Sequence, residues 1–239
     1  MMRLDRFLAE TTALTRSQAV RAVRDGQVSL NGSVVRQPER KLDERLDRVC
    51  LAGVSCRWQE RRVYMLDKPL GVITASRDTK QQTVLDLFPA EVRKKGIFPV
   101  GRLDKDTSGL LLLTDDGELA HRLLSPKSGI DKVYEATVDG RLEEEDIRCF
   151  AEGLLLADGI RCLPAGLRIL GETRCLVTVR EGKYHQVRRM LAAVGKPVIT
   201  LRRLSVGPLK MDDELGSGGY RELTDEELCI LFNAIGLGK

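Results

Sequence analysis

The chain has 239 residues, 42% of them hydrophobic and 31% charged, with a formal net charge of +4. That length allows one large domain or two unequal ones with a real core, and no apolar run approaches the roughly 20 residues a membrane span requires. The six cysteines form no Cys-x-x-Cys pair and the only histidines are His121 and His185, so a zinc site has little to be built from. Free thiols in a reducing cytoplasm are expected, and the first residues lack the apolar core of an export signal. The charge is uneven: residues 1–62 hold 13 Arg/Lys against 8 Asp/Glu, leaving 26 basic and 27 acidic residues in the remaining 177. A basic module on a near-neutral body is the pattern of an appended polyanion-binding unit.

In chain order, Arg3 to Glu10 begins an amphipathic helix with Leu4, Phe7 and Leu8 on one face. A second helix starts at Arg16 with Thr15 as its N-cap and ends at Asp25-Gly26. Val28 to Leu30 and Val34-Val35 flank Asn31-Gly32, a tight hairpin turn. Gly53 to Arg62 reads as a linker carrying the lone Trp58, which sets domains at 1–58 and 62–239. Val63 to Leu66 is a strand running into Lys68-Pro69-Leu70-Gly71; a short helix over Gln82 to Phe88 and a charged loop over Glu91 to Lys95 follow. Further on, Glu118 to Leu124 is a helix and Lys132 to Val138 a half-buried strand, with Lys132 and Tyr134 on one face and Val133 on the other. Glu143 to Gly153 is an acidic-faced helix, and Leu167 to Leu170 and Leu176 to Val179 are strands. An apolar helix ends at Val194-Gly195, two strands cover Val198 to Leu201 and Leu204 to Val206, and a last helix starts at Thr224. Strands and helices intersperse without a strict βαβ repeat. The fold class expected is α+β: a mixed, largely antiparallel sheet with flanking helices, preceded by a small α/β module.

The chemistry centres on Gly101-Arg102-Leu103-Asp104-Lys105-Asp106-Thr107-Ser108-Gly109. A cation and a carboxylate two positions apart sit in a glycine-bracketed loop, and the apolar run Leu110 to Leu113 behind it has the length of a buried strand. That layout fixes an acid at the mouth of a rigid element. The same residues also fit a plain turn in which Asp104 is capped through Thr107.

Gly-Arg-Leu-Asp-x-x-Thr-Ser-Gly-Leu resembles the catalytic motif of the RNA pseudouridine synthases, in the branch acting on ribosomal RNA. Arg3-Leu4-Asp5 and the Val-x-Leu-Asn-Gly-x-x-Val hairpin resemble the S4-type RNA-binding module over about the first 50 residues. One departure is Arg45-Leu46-Asp47, where that module usually has a glycine-aspartate turn. The resemblance implies a cofactor-independent isomerisation that breaks a uridine's N-glycosidic bond and rejoins the base through carbon. It implies Asp104 as the attacking carboxylate, Arg188 of His185-Gln186-Val187-Arg188 as its paired cation, and Tyr134 stacked on the extruded uracil. His185 takes a supporting role. Arg102 would fill the space the flipped nucleotide leaves. RNA contacts are expected from Arg3, Arg16, Ser17, Arg21, Arg24 and Asn31 in the module and from Arg102 and Lys132 in the body, with no metal. His121 to Lys127 and Tyr184 to Met190 look like the small-subunit type, which implies 16S ribosomal RNA or a small-subunit assembly intermediate as partner and a monomeric enzyme.

Other readings remain at this level. They are a large-subunit, 23S-directed synthase, a non-catalytic ribosome-assembly protein that retains the fold, and a nuclease placing metals on Asp104 and Asp106 with Asp115 or Asp116.

Overall fold

A computed structural model describes residues 1–56, 58, 62–94 and 96–237, so the expected linker's Arg57 and residues 59–61, together with Lys95, lie outside the described residues. The chain forms two compact units, Met1–Arg61 and Arg62–Lys239.

In the first unit, β1 (Met2–Arg3) leads into α1 (Leu4–Thr11), and α2 (Arg16–Arg24) follows. Thr15 caps α2 reciprocally with Gln18: the threonine hydroxyl accepts from the Gln18 amide while the Gln18 side chain accepts from the Thr15 amide. β2 (Val28–Leu30) and β3 (Ser33–Val34) form the expected hairpin. Asn31 and Gly32 both take positive φ, 51° and 83°, as a twist-matched two-residue turn demands. β4 (Lys41–Leu42) pairs with β1. β5 (Val49–Leu51) adds to β2 despite the altered turn before it, because Asp47 accepts from the Asn31 side chain at 2.8 Å and from the Asp43 amide at 2.8 Å. The linker expected from Gly53 starts later. Ala52 and Gly53 turn with positive φ into β6 (Val54–Cys56), which pairs with β5, and Trp58 stacks on Phe7 at the edge of this unit's core.

The second unit is one nine-stranded sheet with helices against it. β7 (Val63–Lys68) is buried at every position. A 3₁₀ turn at Val84–Leu87 and a one-turn helix, α3 (Ala90–Arg93), replace the expected short helix and charged loop. β8 (Phe98–Pro99) pairs with the end of β9 (Ser108–Thr114), whose Leu111 and Leu113 enter one core and Leu110 and Leu112 the other. That alternation explains the unbroken apolar run: the strand is covered on both faces. α4 (Gly117–Leu124), β10 (Lys132–Val138), α5 (Glu144–Glu152), β11 (Gly166–Ile169), β12 (Arg174–Val179) and α6 (Gln186–Ala193) follow. β13 (Val198–Val206) is one nine-residue strand rather than two, because Arg202 and Arg203 continue the pleat between the two expected strands. β14 (Leu209–Lys210), β15 (Tyr220–Glu222) and α7 (Asp225–Ala234) close the chain. The order is β11-β12-β10-β13-β9-β7-β15, and every neighbouring pair is antiparallel except β13 with β9. That one parallel contact brings the end of the Asp104 loop beside the middle of β13.

Candidate active site

The loop before β9 is held through its backbone. The Thr107 amide donates to the Asp104 carbonyl at 3.1 Å, closing the turn. Thr74 donates its hydroxyl to the Leu103 carbonyl at 2.7 Å and accepts from the Leu103 amide at 3.1 Å. The Gly71 amide donates to the Lys105 carbonyl at 2.9 Å. Lys68, fully buried, donates to the carbonyls of Thr107 at 2.9 Å and Pro69 at 3.0 Å. Burial pulls the Lys68 ammonium down to about 8, against the opposing charges of Asp104 and Asp106. At the end of the loop, Gly109 has φ +101° and a Cβ there would lie 2.3 Å from the Arg203 carbonyl oxygen. Only glycine lets β13 approach this closely.

These tethers leave the Asp104 carboxylate without a hydrogen bond from the described residues. Its side chain is 30% exposed and meets His185 Nε2 at 3.5 Å. His185 sits in the left-handed region (φ 47°, ψ 33°) before α6, its ring stacked on Tyr184 at 3.8 Å between centroids. The turn that presents it is built by buried Glu181, which accepts from the Gln186 side chain at 2.8 Å and from the Leu163 amide at 2.9 Å.

Arg188 differs from the expected arrangement. Its Nη2 donates to the Asp106 carbonyl at 2.8 Å and pairs with the Asp106 carboxylate at 3.1 Å, rather than with Asp104. The turn closed by Thr107 presents residue 106 to the first turn of α6. Arg188 thus clamps the loop that carries the acid. Its neighbour Arg189 pairs with Asp158 instead.

Asp104, Tyr134, Lys132 and Arg102 all line one cavity of about 630 Å³. Tyr134 and Lys132 are buried on the same face of β10, while Arg102 is exposed. Arg203, on β13, stands opposite Tyr134 across the strands and brings its Nη1 to 3.4 Å from the tyrosine hydroxyl. An anionic group facing a stacking ring and cations inside one concave site can attack an electrophilic carbon of a planar, polar ligand.

The family model for RNA pseudouridylate synthase matches residues 62–193, and that for the S4 domain matches residues 2–49. The chain belongs to the RNA pseudouridine synthase family. The synthase is 42% identical to an uncharacterized RNA pseudouridine synthase of Bacillus subtilis, over 96% of this chain and 98% of that one. It is 41% identical to ribosomal small subunit pseudouridine synthase A of Pasteurella multocida (95% and 98% covered) and 36% identical to that of Escherichia coli K12 (95% and 99%). A crystal structure of a pseudouridylate synthase superposes with a TM-score of 0.68 at 38% identity, covering 97% of this chain and all of that one.

In the S4 unit of the synthase the expected RNA-contacting residues divide. Arg3 forks onto Asp5 at 3.1 and 2.9 Å, and Arg16 reaches the same carboxylate at 3.4 Å. Burial pushes Asp5 up, and the bonds from Arg3 and the Arg6 amide, with the Arg16 charge, outweigh it and hold the acid below its ordinary range. Asn31 accepts from the Arg48 amide as well as holding Asp47, so it builds the turn. Arg21 is exposed and lies 3.7 Å from Asp25, while Ser17 and Arg24 are exposed. Sequence reasoning missed Lys68 and Arg203. Lys68 stood in a proline-glycine turn that any strand could precede. Arg203 had a signal: in an extended strand it faces the side opposite Arg202, but its cross-strand partner lies 69 residues away.

Proposed function

We propose that the synthase converts a specific uridine of 16S ribosomal RNA, or of a small-subunit assembly intermediate, to pseudouridine, working as a monomer in the cytoplasm. The observation that carries the chemistry is the Asp104 carboxylate, free of hydrogen bonds from the described residues on a loop tethered through its backbone, in the same cavity as Tyr134. The cavity volume falls within the roughly 300–1,000 Å³ of small-molecule sites, room for one extruded nucleoside. Asp104 attacks the sugar at C1′ and the C1′–N1 bond breaks. The base turns under Tyr134 and bonds through C5, and the carboxylate departs. The C5 proton is lost and N1 is protonated, so atoms and electrons balance without a cofactor. Arg188 keeps the loop in place by holding Asp106, and Arg102 at the exposed rim fills the vacated stack. The S4 unit supplies affinity through Arg21 and Arg24 with Ser17. The six cysteines are all free thiols, in keeping with a reducing compartment.

The 16S assignment is supported by relatives carrying the small-subunit name over 95% of this chain. Mapping pseudouridine in ribosomal RNA from cells with and without the gene tests it: one 16S site should disappear, and a site lost from 23S RNA instead would reassign the target. Deleting residues 1–61 should weaken RNA binding and flatten its salt dependence, since fewer phosphates are neutralised. An unchanged slope would make the unit a structural cap.

A further inference from the structure

β13 carries two adjacent arginines with opposite fates. Arg202, 38% exposed, forks onto Asp67 at 3.0 and 2.9 Å. Arg203, only 3% exposed, makes no ion pair among the described residues. Its Nε donates to the Leu110 carbonyl at 2.7 Å and its Nη1 lies 3.4 Å from the Tyr134 hydroxyl. Its Nη2 has no acceptor among the described residues. Lys132, 7% exposed and two positions before Tyr134 on the same face, has among the described residues only the Ile130 carbonyl at 3.5 Å as a hydrogen-bond partner. Both cations line the cavity that Asp104 enters. Burial and the Arg203 charge lower the Lys132 ammonium and outweigh the opposing charge of Asp131, so the two cations are close enough to oppose each other.

Two buried cations with no ion pair among the described residues are unfavourable unless an anion reaches them. The nucleotide's phosphates stay with the RNA chain at the rim, where Arg102 is exposed. What enters the depth beneath Tyr134 is the base. Neutral uracil offers two carbonyl oxygens and gains modestly from cations. When the C1′–N1 bond breaks, the electron pair stays on the base, and its charge spreads over N1 and the carbonyl oxygens. Donors fixed where charge develops stabilise that state more than the ground state. We propose that Arg203 and Lys132 form an oxyanion subsite for the departing uracil, binding it as an N1 anion between cleavage and rejoining. This rests on the reading that Asp104 attacks the sugar. Gly109 belongs to the device, since its missing side chain lets β13 deliver Arg203 beside β9.

The test compares the single-turnover rate of C1′–N1 cleavage and rejoining at C5 in RNA carrying uridine or 5-fluorouridine at the target, for the full-length enzyme and for Arg203→Met, Lys132→Met and Arg203→Lys. In the second RNA, fluorine in place of the C5 proton stops the sequence after rejoining. Fluorine withdraws electrons, so the fluorinated base leaves with less help. Arg203→Met should lose about 10²-fold on uridine RNA, with a loss about tenfold smaller on the fluorinated RNA. Lys132→Met should show the same trend, and Arg203→Lys should fall nearer the parent. The ratio between the two RNAs within one preparation does not depend on how much of it is folded. Equal losses on both RNAs, or full activity of Arg203→Met, overturn the proposal while Asp104→Asn stays inactive. An Asp104→Asn enzyme that still turns over both RNAs removes the underlying reading and this one with it.

Discussion

The two ends of β9 carry the same chemistry in sequence and opposite roles in space. Behind the strand, Asp115 accepts from the Arg62 amide at 3.0 Å and from its guanidinium at 3.2 Å. Asp116 caps α4 by accepting from the Glu118 and Leu119 amides at 2.9 and 3.1 Å. Ahead of it, Asp106 is taken by Arg188, and Asp104 alone has its backbone bound and its carboxylate free of hydrogen bonds among the described residues. A carboxylate engaged by amides or a guanidinium builds structure, whereas one presented by a fixed backbone is available for chemistry. This also sets aside a nuclease placing metals on Asp104 and Asp106 with Asp115 or Asp116, because the strand carries the second pair to its far end, where both are in use.

The sharpest way to break the comparison is to neutralise one acid at each end. Asp104→Asn should abolish isomerisation, a loss beyond about 10³-fold, while leaving the melting temperature near the parent, since no described residue depends on that carboxylate for a hydrogen bond. Asp115→Asn should do the reverse. It should keep turnover and lower stability by about 1–3 kcal/mol, because half-buried Arg62 loses the charge of Asp115. Tritium release from labelled ribosomal RNA, with thermal melts of the same preparations, reads both. An active Asp104→Asn enzyme ends the assignment.

Next in size is Arg188. It restrains the loop through Asp106, so Arg188→Ala should let the acid drift and reduce turnover by about 10²-fold, the scale of a displacement near 1 Å. RNA affinity should change little. Arg188→Lys should recover part of the rate, since an ammonium keeps the charge and can donate to both Asp106 acceptors as the single Nη2 does, but from a shorter side chain. Asp106→Asn keeps the carbonyl contact at 2.8 Å and should be milder than Arg188→Ala. If Asp106→Asn proves the more damaging, the carboxylate pair rather than the backbone clamp fixes the loop.

What was legible in the sequence follows from how local each signal was. The Asn31-Gly32 hairpin, the Thr15 cap and the Leu110–Leu113 strand rest on neighbours within a few residues, and all three are present. The Asp104 loop and Tyr134 could be named because the motif around each is contiguous. The resemblance pairs Arg188 with Asp104, and a motif match does not say which of two acids, two residues apart, the guanidinium meets in this chain. For Arg203 the sequence holds only its place in an extended strand, while its role depends on β13 lying antiparallel to β10 and parallel to β9. Short partners such as β6, β14 and β15 carry too few residues to show a period.

Lys68 sharpens the comparison by pH. Its ammonium, at about 8 in the fold, lies under the Asp104 loop and holds it by charge-assisted hydrogen bonds to the Thr107 and Pro69 carbonyls, which weaken when the proton is lost. Turnover should therefore fall several-fold, at most about tenfold, as pH rises from 7 to 9. Stability should move the other way. An unfolded lysine keeps its proton to about 10.5, so between 8 and 10.5 the unfolded chain binds more protons and this group's contribution to folding rises with pH. Lys68→Met should lack both trends. Turnover and stability falling together above pH 8 would instead indicate general unfolding.

The smallest effect belongs to Asp116, the counterpart of Asp104 at the quiet end of the strand. Its carboxylate satisfies two amide donors at the start of α4, a helix that buries Leu119, Ala120 and Leu123 against the second core. Asp116→Ala leaves those donors without a side-chain acceptor and should lower stability by about 1 kcal/mol, while Asp116→Asn, an equally good cap, should sit close to the parent. The same helix ends at Leu124, which lines the cavity and packs where a Cβ on Gly101 would lie 2.7 Å away. Fraying at the first turn need not reach the last, because capping acts on the amides of the first turn and the buried face holds the rest. Turnover at 25 °C should therefore be unchanged in both variants. A loss of activity in Asp116→Asn without a loss of melting temperature would mean that the two ends of β9 communicate, and that the division between a structural and a chemical acid pair is wrong.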